Sequence, residues 1–323
     1  MENEKFVALE AKIQREYGNT AGITVSQEGT IVYEKYFNGC EADTAVHIFS
    51  VTKSIVSALI GIALEKGYIT SLDQKVLDFF PEYSFPKKEK MLSAITLRHL
   101  LTMTVPYKRM LNPYPQYFTS PDWVKFSLEA IGGRGRVGEF KYAPLIGPDI
   151  LSGILVKATG QSVLDFAREN LFDPMGIQME ETITFRDKEE QMAFYQTTGV
   201  RGWVAGPTGV HTAGWGLSLT ARELAKIGQL YLNGGVWEGQ QLVPEKWIKE
   251  STREQSAWKK LGLKYGYLWW ALDDERSFAA LGDGGNTIYV NPQKQLVVSM
   301  TGLFMSEAKD WLALIQQEIT AMF

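Results

Sequence analysis

The chain has 323 residues and a formal charge of −4, with 33 Lys and Arg against 37 Asp and Glu. Hydrophobic residues make up 45 % and charged residues 22 %, a balance that excludes disordered and fibrous classes and suits one large domain or two intimate ones. The mild acidity argues against nucleic-acid binding, which calls for a basic balance or a basic stripe. In chain order, Phe6, Leu9, Ile13 and Tyr17 recur at spacings of three and four and predict an amphipathic opening helix. Two β-rich runs follow, Gly22 to Ser26 and Thr30 to Phe37, and Gln27-Glu28-Gly29 between them predicts a hairpin. A nearly all-apolar helix is expected from Ser50 to Lys66, ended by Gly67.

Between about residues 69 and 260 the periodicity is mainly helical. Ser120-Pro121 offers a cap with proline at the first helical position, Ser162 and Asp165 resemble a cap, and Thr220 with Glu223 spells a capping box. Gly234-Gly235 ends the helix begun at Thr220. Then come four short β-branched or aromatic runs, Tyr265 to Ala271, Phe278 to Gly282, Asn286 to Asn291 and Leu296 to Thr301. A closing helix carries Ala308, Trp311, Leu312, Ile315, Ile319 and Met322 on one stripe. The expected fold class is therefore α/β of the α+β kind. Residues 1–68 and 262–323 would build an antiparallel sheet flanked by the terminal helices, residues 69–261 would form a large helical insertion, and a ligand would sit in the cleft between.

Cys40 is alone, so no internal disulfide can form, and a reducing compartment is the expectation. The acidic opening Met1-Glu2-Asn3-Glu4-Lys5 has no apolar core of a signal peptide. The apolar run 54–64 is about half of a membrane span. These points predict a soluble, cytoplasmic protein with no membrane and no nucleic-acid partner. The run Gly133 to Gly138 matches G-x-G-x-x-G, but a helical segment precedes it and no helix opens from it, so it reads as a loop and not a nucleotide site. His47, His99 and His211 lack metal-ligand spacing, so no metal and no other cofactor is expected. No G-x-S-x-G elbow is present.

S-x-x-K occurs at Ser50-Lys53, Ser84-Lys87, Ser256-Lys259 and Ser306-Lys309. Pro86 blocks a helix through the second, and the last two lie in polar stretches. Ser50 alone opens a buried helix, where residues three apart share a face. A serine hydroxyl needs a base to take its proton, and a desolvated lysine can be that base. On the helix alone a second reading stays open: Ser50 caps the helix and Lys53 snorkels to water. Ser54, Ser57 and Gly61 continue the same narrow stripe of small residues.

His47-Ile48-Phe49-Ser50-Val51-Thr52-Lys53-Ser54 resembles the first active-site motif of the serine β-lactamase and penicillin-binding-protein superfamily. It is most similar to the class C-type β-lactamase-related hydrolases, the branch of esterases and 6-aminohexanoate-dimer hydrolases. The stretches 95–104, 214–225 and 265–270 match further family segments in order. The resemblance implies Ser50 as nucleophile and Lys53 as base. It implies Tyr142, in Phe140-Lys141-Tyr142-Ala143-Pro144, as the tyrosine that shares the base role; a structural tyrosine is the other reading. Where the family has asparagine stands Pro144, which loses a side-chain amide for a substrate carbonyl. Ala280-Leu281-Gly282 occupies the place of K-T-G and lacks its cation. Gly282 would let backbone approach the substrate. The family implies an oxyanion hole from the N–H groups of Ser50 and Asp283, although Gly282-Asp283-Gly284-Gly285 also reads as a simple turn. His211, Trp203 and Trp215 are candidate pocket residues, which core packing would explain equally for the tryptophans.

The implied function is a serine hydrolase that forms an acyl-enzyme with a small ester, an amide or a short peptide and needs no cofactor. Two rivals remain at the level of sequence. One is a penicillin-recognising binding or sensor protein that does not turn over; the other is an interaction protein sharing only the architecture.

Overall fold

The computed structural model describes residues 2–83, 91–110, 113–272, 276–305 and 308–323. Ser84-Lys87 and Ser306 lie outside the described residues. Helix α1 (Glu2–Glu16) leads into β1 (Thr20–Gln27) and β2 (Thr30–Tyr36). The two-residue loop between these strands has Glu28 at φ 50 and Gly29 at φ 78, the paired positive φ values that suit the twist of a tight hairpin. The rest of the sheet comes from the far end of the chain: β3 (Ser256–Trp258), β4 (Leu263–Tyr265), β5 (Trp270–Ala271), β6 (Phe278–Leu281), β7 (Thr287–Asn291) and β8 (Leu296–Gly302). The order is β2-β1-β8-β7-β6-β5-β4-β3, antiparallel at every pairing. Ile23 faces Met300 and Val25 faces Val298 in the pairing that joins the two ends of the chain.

The period of two along a strand sends successive side chains into two different cores. Leu296, Val298, Met300 and Tyr289 pack with Leu9, Ile13 and Tyr17 of the first helix and with Trp311, Leu314, Ile315 and Ile319. Val297, Ile288 and Val290 turn to the opposite, larger core. On that side lies α2 (Thr52–Glu65), in which Thr52 to Ala63 are all buried, as a helix apolar on most sides must be. The small stripe on α2 is a packing device: Ser54 Oγ donates to Leu268 O at 2.7 Å, and a Cβ on Gly61 would meet the Trp247 indole at 2.4 Å.

The middle segment contributes α3 (Pro148–Thr159) and α4 (Ala221–Leu232) among shorter helices. The Thr220 box is present in full: Thr220 Oγ1 accepts from Glu223 N, and Glu223 Oε2 accepts from Thr220 N. Helix α4 lies directly on the sheet, because a Cβ on Gly228 would stand 2.5 Å from Val297 Cγ1. Two sequence expectations shift. The cap of helix Trp123–Ala130 is Asp122, not Ser120, because the Asp122 carboxylate reaches Lys125 N while the Ser120 hydroxyl is used locally on Asp122 O. The run 265–271 is a hairpin rather than one strand. Gly266 sits against Ser251 O with no room for a Cβ, and Leu268 turns through φ 62, which splits the run into β4 and β5. The Gly133–Gly138 segment is irregular and opens no helix. Among the described residues no helix is long and apolar enough to cross a membrane.

Gly228→Val inserts three carbons into the contact between α4 and β8. The expected result is a loss of about 1–3 kcal/mol in the urea unfolding free energy, the usual cost of overpacking.

Candidate active site

The site begins where strand Val46–His47 passes into the helical turn Phe49–Val51 and then α2. Phe49 adopts φ 48, a conformation a bulky residue enters only when its surroundings impose it. Ser50 follows, half-buried, and makes no capping hydrogen bond. Lys53 is 1 % exposed. Its Nζ donates to Ser50 Oγ at 2.7 Å and to Gly214 O at 2.8 Å. Burial pulls the Lys53 ammonium down to about 7, against Asp283 and Asp149, which favour the cation. The reading in which Ser50 caps and Lys53 reaches water is thereby removed.

Gly214 is itself held from behind. Asp149, in the first turn of α3, is buried and accepts from Ala213 N at 2.8 Å and Gly214 N at 3.4 Å. Tyr117 Oη donates to its other oxygen. Burial pushes the Asp149 carboxyl up to about 6 in spite of these donors. One residue pair further on, His47 Nε2 accepts from Gly216 N at 2.9 Å, and burial holds the imidazole neutral with a pKa of about 3.

Burial pushes the Tyr142 phenol up to about 12, against the nearby Ser50 hydroxyl, which lowers it. Its ring centroid lies 5.5 Å from Lys53 Nζ. Opposite it, the backbone of Gly282 runs so close to the nucleophile turn that a Cβ there would meet Ile48 O at 2.4 Å and Ser50 N at 3.2 Å. Asp283 begins the next turn. Asn286, fully buried, locks that turn in place: its Nδ2 donates to Asp283 O at 2.7 Å and to His47 O at 3.4 Å, and its Oδ1 accepts from Gly302 N at 3.1 Å.

A cavity of about 250 Å³ opens on Ser50. Ser50 and Asp283 are its polar residues, Phe49, Tyr195, Trp215 and Phe304 supply aromatic walls, and Pro144 lines it where an amide would otherwise stand. The structure thus brings together Ser50, Lys53, Tyr142, Gly282, Asp283 and Trp215. It does not bring His211. That ring bonds Thr182 Oγ1 at 3.1 Å, packs on Trp203 and is not among the cavity walls. Trp203 is a core residue whose Nε1 donates to Thr212 O. Asp149, Asn286 and Tyr195 are the additions that sequence reading missed. A buried carboxyl just after Pro148, at the start of an apolar helix, is the one local signal for Asp149. Among the described residues no group of three or more His, Cys, Asp or Glu side chains is placed to hold a metal.

Asp149→Ala leaves two buried N–H groups and the Tyr117 hydroxyl without their acceptor. The loss expected in denaturant unfolding is about 1–3 kcal/mol for each group left bare, and a variant as stable as the parent would refute this arrangement.

The beta-lactamase family profile matches residues 9–314. A 6-aminohexanoate-dimer hydrolase of Paenarthrobacter ureafaciens is 22 % identical over 302 residues, covering 86 % of this chain and 71 % of its own. Among solved structures, a family VIII carboxylesterase superposes with a TM-score of 0.70 at 17 % identity, over 98 % of this chain and 96 % of the other. A penicillin-binding protein homologue from Caulobacter crescentus gives 0.71 at 18 % identity, over 93 % and 92 %. With the family profile spanning nearly its whole length, the chain belongs to the beta-lactamase family.

Proposed function

We propose that the protein is a serine hydrolase that cleaves a small ester or amide, or a short peptide, through an acyl-enzyme on Ser50. One observation carries this reading: a buried lysine, shifted to near-neutral pKa, within 2.7 Å of the Ser50 hydroxyl. Neutral Lys53 takes the hydroxyl proton as Ser50 Oγ bonds to the substrate carbonyl carbon. The negative charge that gathers on the carbonyl oxygen is met by the N–H groups of Ser50 and Asp283. Their neighbours are already engaged, Val51 N with Ile48 O and Gly282 N with Asn286 O. Each such donor is worth about 3–4 kcal/mol in comparable sites. The proton then passes by way of Lys53 and Tyr142 to the departing oxygen or nitrogen as its bond to carbon breaks. Water, activated by the same base, attacks the acyl carbon and frees Ser50 Oγ.

The hydrolases among its relatives act on esters and amides by name, which supports the reaction class. Pro144 offers no side-chain donor to a substrate amide carbonyl, and Asp283 places a negative charge at the cavity mouth, so a substrate whose recognition rests on a carboxylate fits poorly.

The test is intact-protein mass during incubation with p-nitrophenyl esters, a peptide amide and a chromogenic cephalosporin. The expected result is a transient acyl adduct with multiple turnovers, both lost in Ser50→Ala. A persistent adduct would mark a binding protein, and activity unchanged in Ser50→Ala would overturn the assignment. The pH profile gives a second check. Lys53 is competent only when neutral, so kcat/KM is expected to rise tenfold per pH unit below about 7 and level off above it.

A further inference from the structure

A second cavity, of about 730 Å³, lies against the one that opens on Ser50, and the two share Tyr114 and Tyr195 as walls. The same aromatic cluster also underlies both. Trp215, which lines the smaller cavity, is in ring contact with Phe118 at 5.6 Å and Phe185 at 6.4 Å, and both of these line the larger one. Sites for small molecules run from about 300 to 1,000 Å³ and are mostly apolar; the smaller cavity alone falls below that range, and the larger lies inside it. The charges on the rim of the larger cavity are largely committed. Arg186 pairs with Glu190, and Asp187 accepts from Glu190 N at 2.9 Å to cap helix Lys188–Gln196, which leaves the exposed Lys188. Gln191 Nε2 is spent on Tyr195 Oη at 2.7 Å. What the interior offers a ligand is aromatic and aliphatic surface.

We propose that this cavity is the subsite for the acyl arm of the substrate, so that the enzyme prefers esters or amides of acids with a medium-length apolar chain. The inference rests on the hydrolase reading above. The leaving group must depart within reach of Tyr142, which packs on Tyr265 and Trp270 and lies outside the walls of the large cavity. The acyl arm is the part of the substrate left to enter it. Burial of each added methylene then favours the transition state until the cavity is filled.

The experiment uses the full chain and p-nitrophenyl esters from acetyl to dodecanoyl, with a parallel series of alkyl acetates that lengthens the alcohol instead. We expect kcat/KM to rise by roughly tenfold or more from acetyl to octanoyl and to stay flat in the alkyl series. Thr184→Trp and Met192→Trp fill the cavity from exposed positions on its wall and are expected to abolish the rise while leaving the acetyl ester unaffected. A flat acyl series, a gain confined to the alkyl series, or a rise that survives both substitutions would overturn the inference while the Ser50 adduct leaves the hydrolase reading intact. If no ester acylates Ser50, the hydrolase reading itself fails. The cavity is then read by displacement of 8-anilinonaphthalene-1-sulfonate with 1-decanol, and equal displacement from parent and Met192→Trp would overturn the apolar subsite as well.

Discussion

The site depends on a lysine taken out of water. Lys53 lies inside a helix buried from Thr52 to Ala63, and that burial is the main force lowering its proton affinity. Left with no acceptor, an amine so placed would be a costly buried polar group; placed beside a full counter-ion, it would stay protonated and could not act as a base. The structure stands between these extremes. The direct partners of Nζ are a hydroxyl and a peptide carbonyl, both neutral, while the two carboxylates that favour the cation, Asp149 and Asp283, act without an ion pair to it. Asp149 serves twice, since it also holds the Ala213–Gly214 backbone whose carbonyl receives the lysine.

How much of this could be read in advance follows from how local each interaction is. Ser50 and Lys53 lie three residues apart across the join of the turn Phe49–Val51 and α2, which begins at Thr52 and not at Ser50, so their contact is local. The Thr220 cap and the 27–30 hairpin are local in the same sense, and both are present. Asp149 is different: its partners are backbone amides about sixty residues away, and no pattern in the letters links them. Asn286 reads as the polar start of a strand until the fold sets it between Asp283, His47 and Gly302. Tyr142 was identified only through family resemblance. His211 stands close in sequence to the Gly214–Gly216 stretch, but its ring is taken by Thr182 and Trp203 and is not on the cavity wall.

The remaining pieces of the site are made of backbone at close quarters. Gly282 touches the chain at Ile48 and Ser50 where any side chain would collide, and Phe49 accepts an unfavourable φ to deliver Ser50. A glycine on a late strand and a strained residue at the head of an early helix therefore form one joint. Asn286 fastens it through two carbonyls, one on each side. The requirement at Gly282 is steric.

That joint has a consequence for how the molecule is made. The inner edge of β1 is covered by β8, so β1 waits for a strand that leaves the ribosome much later. The contact order of this pairing is close to the largest the chain allows, and loop closure on that scale is slow. Until residues 282–302 arrive, Ser50 has no Gly282 beside it, and until residues 247–268 arrive the apolar α2 lacks the Trp247 indole and Leu268 carbonyl that cover its small stripe. A nascent or truncated chain would thus hold this apolar helix without its partners. It would also lack the joint that fixes the nucleophile, so reactivity is a property that emerges only with the last strands of the sheet.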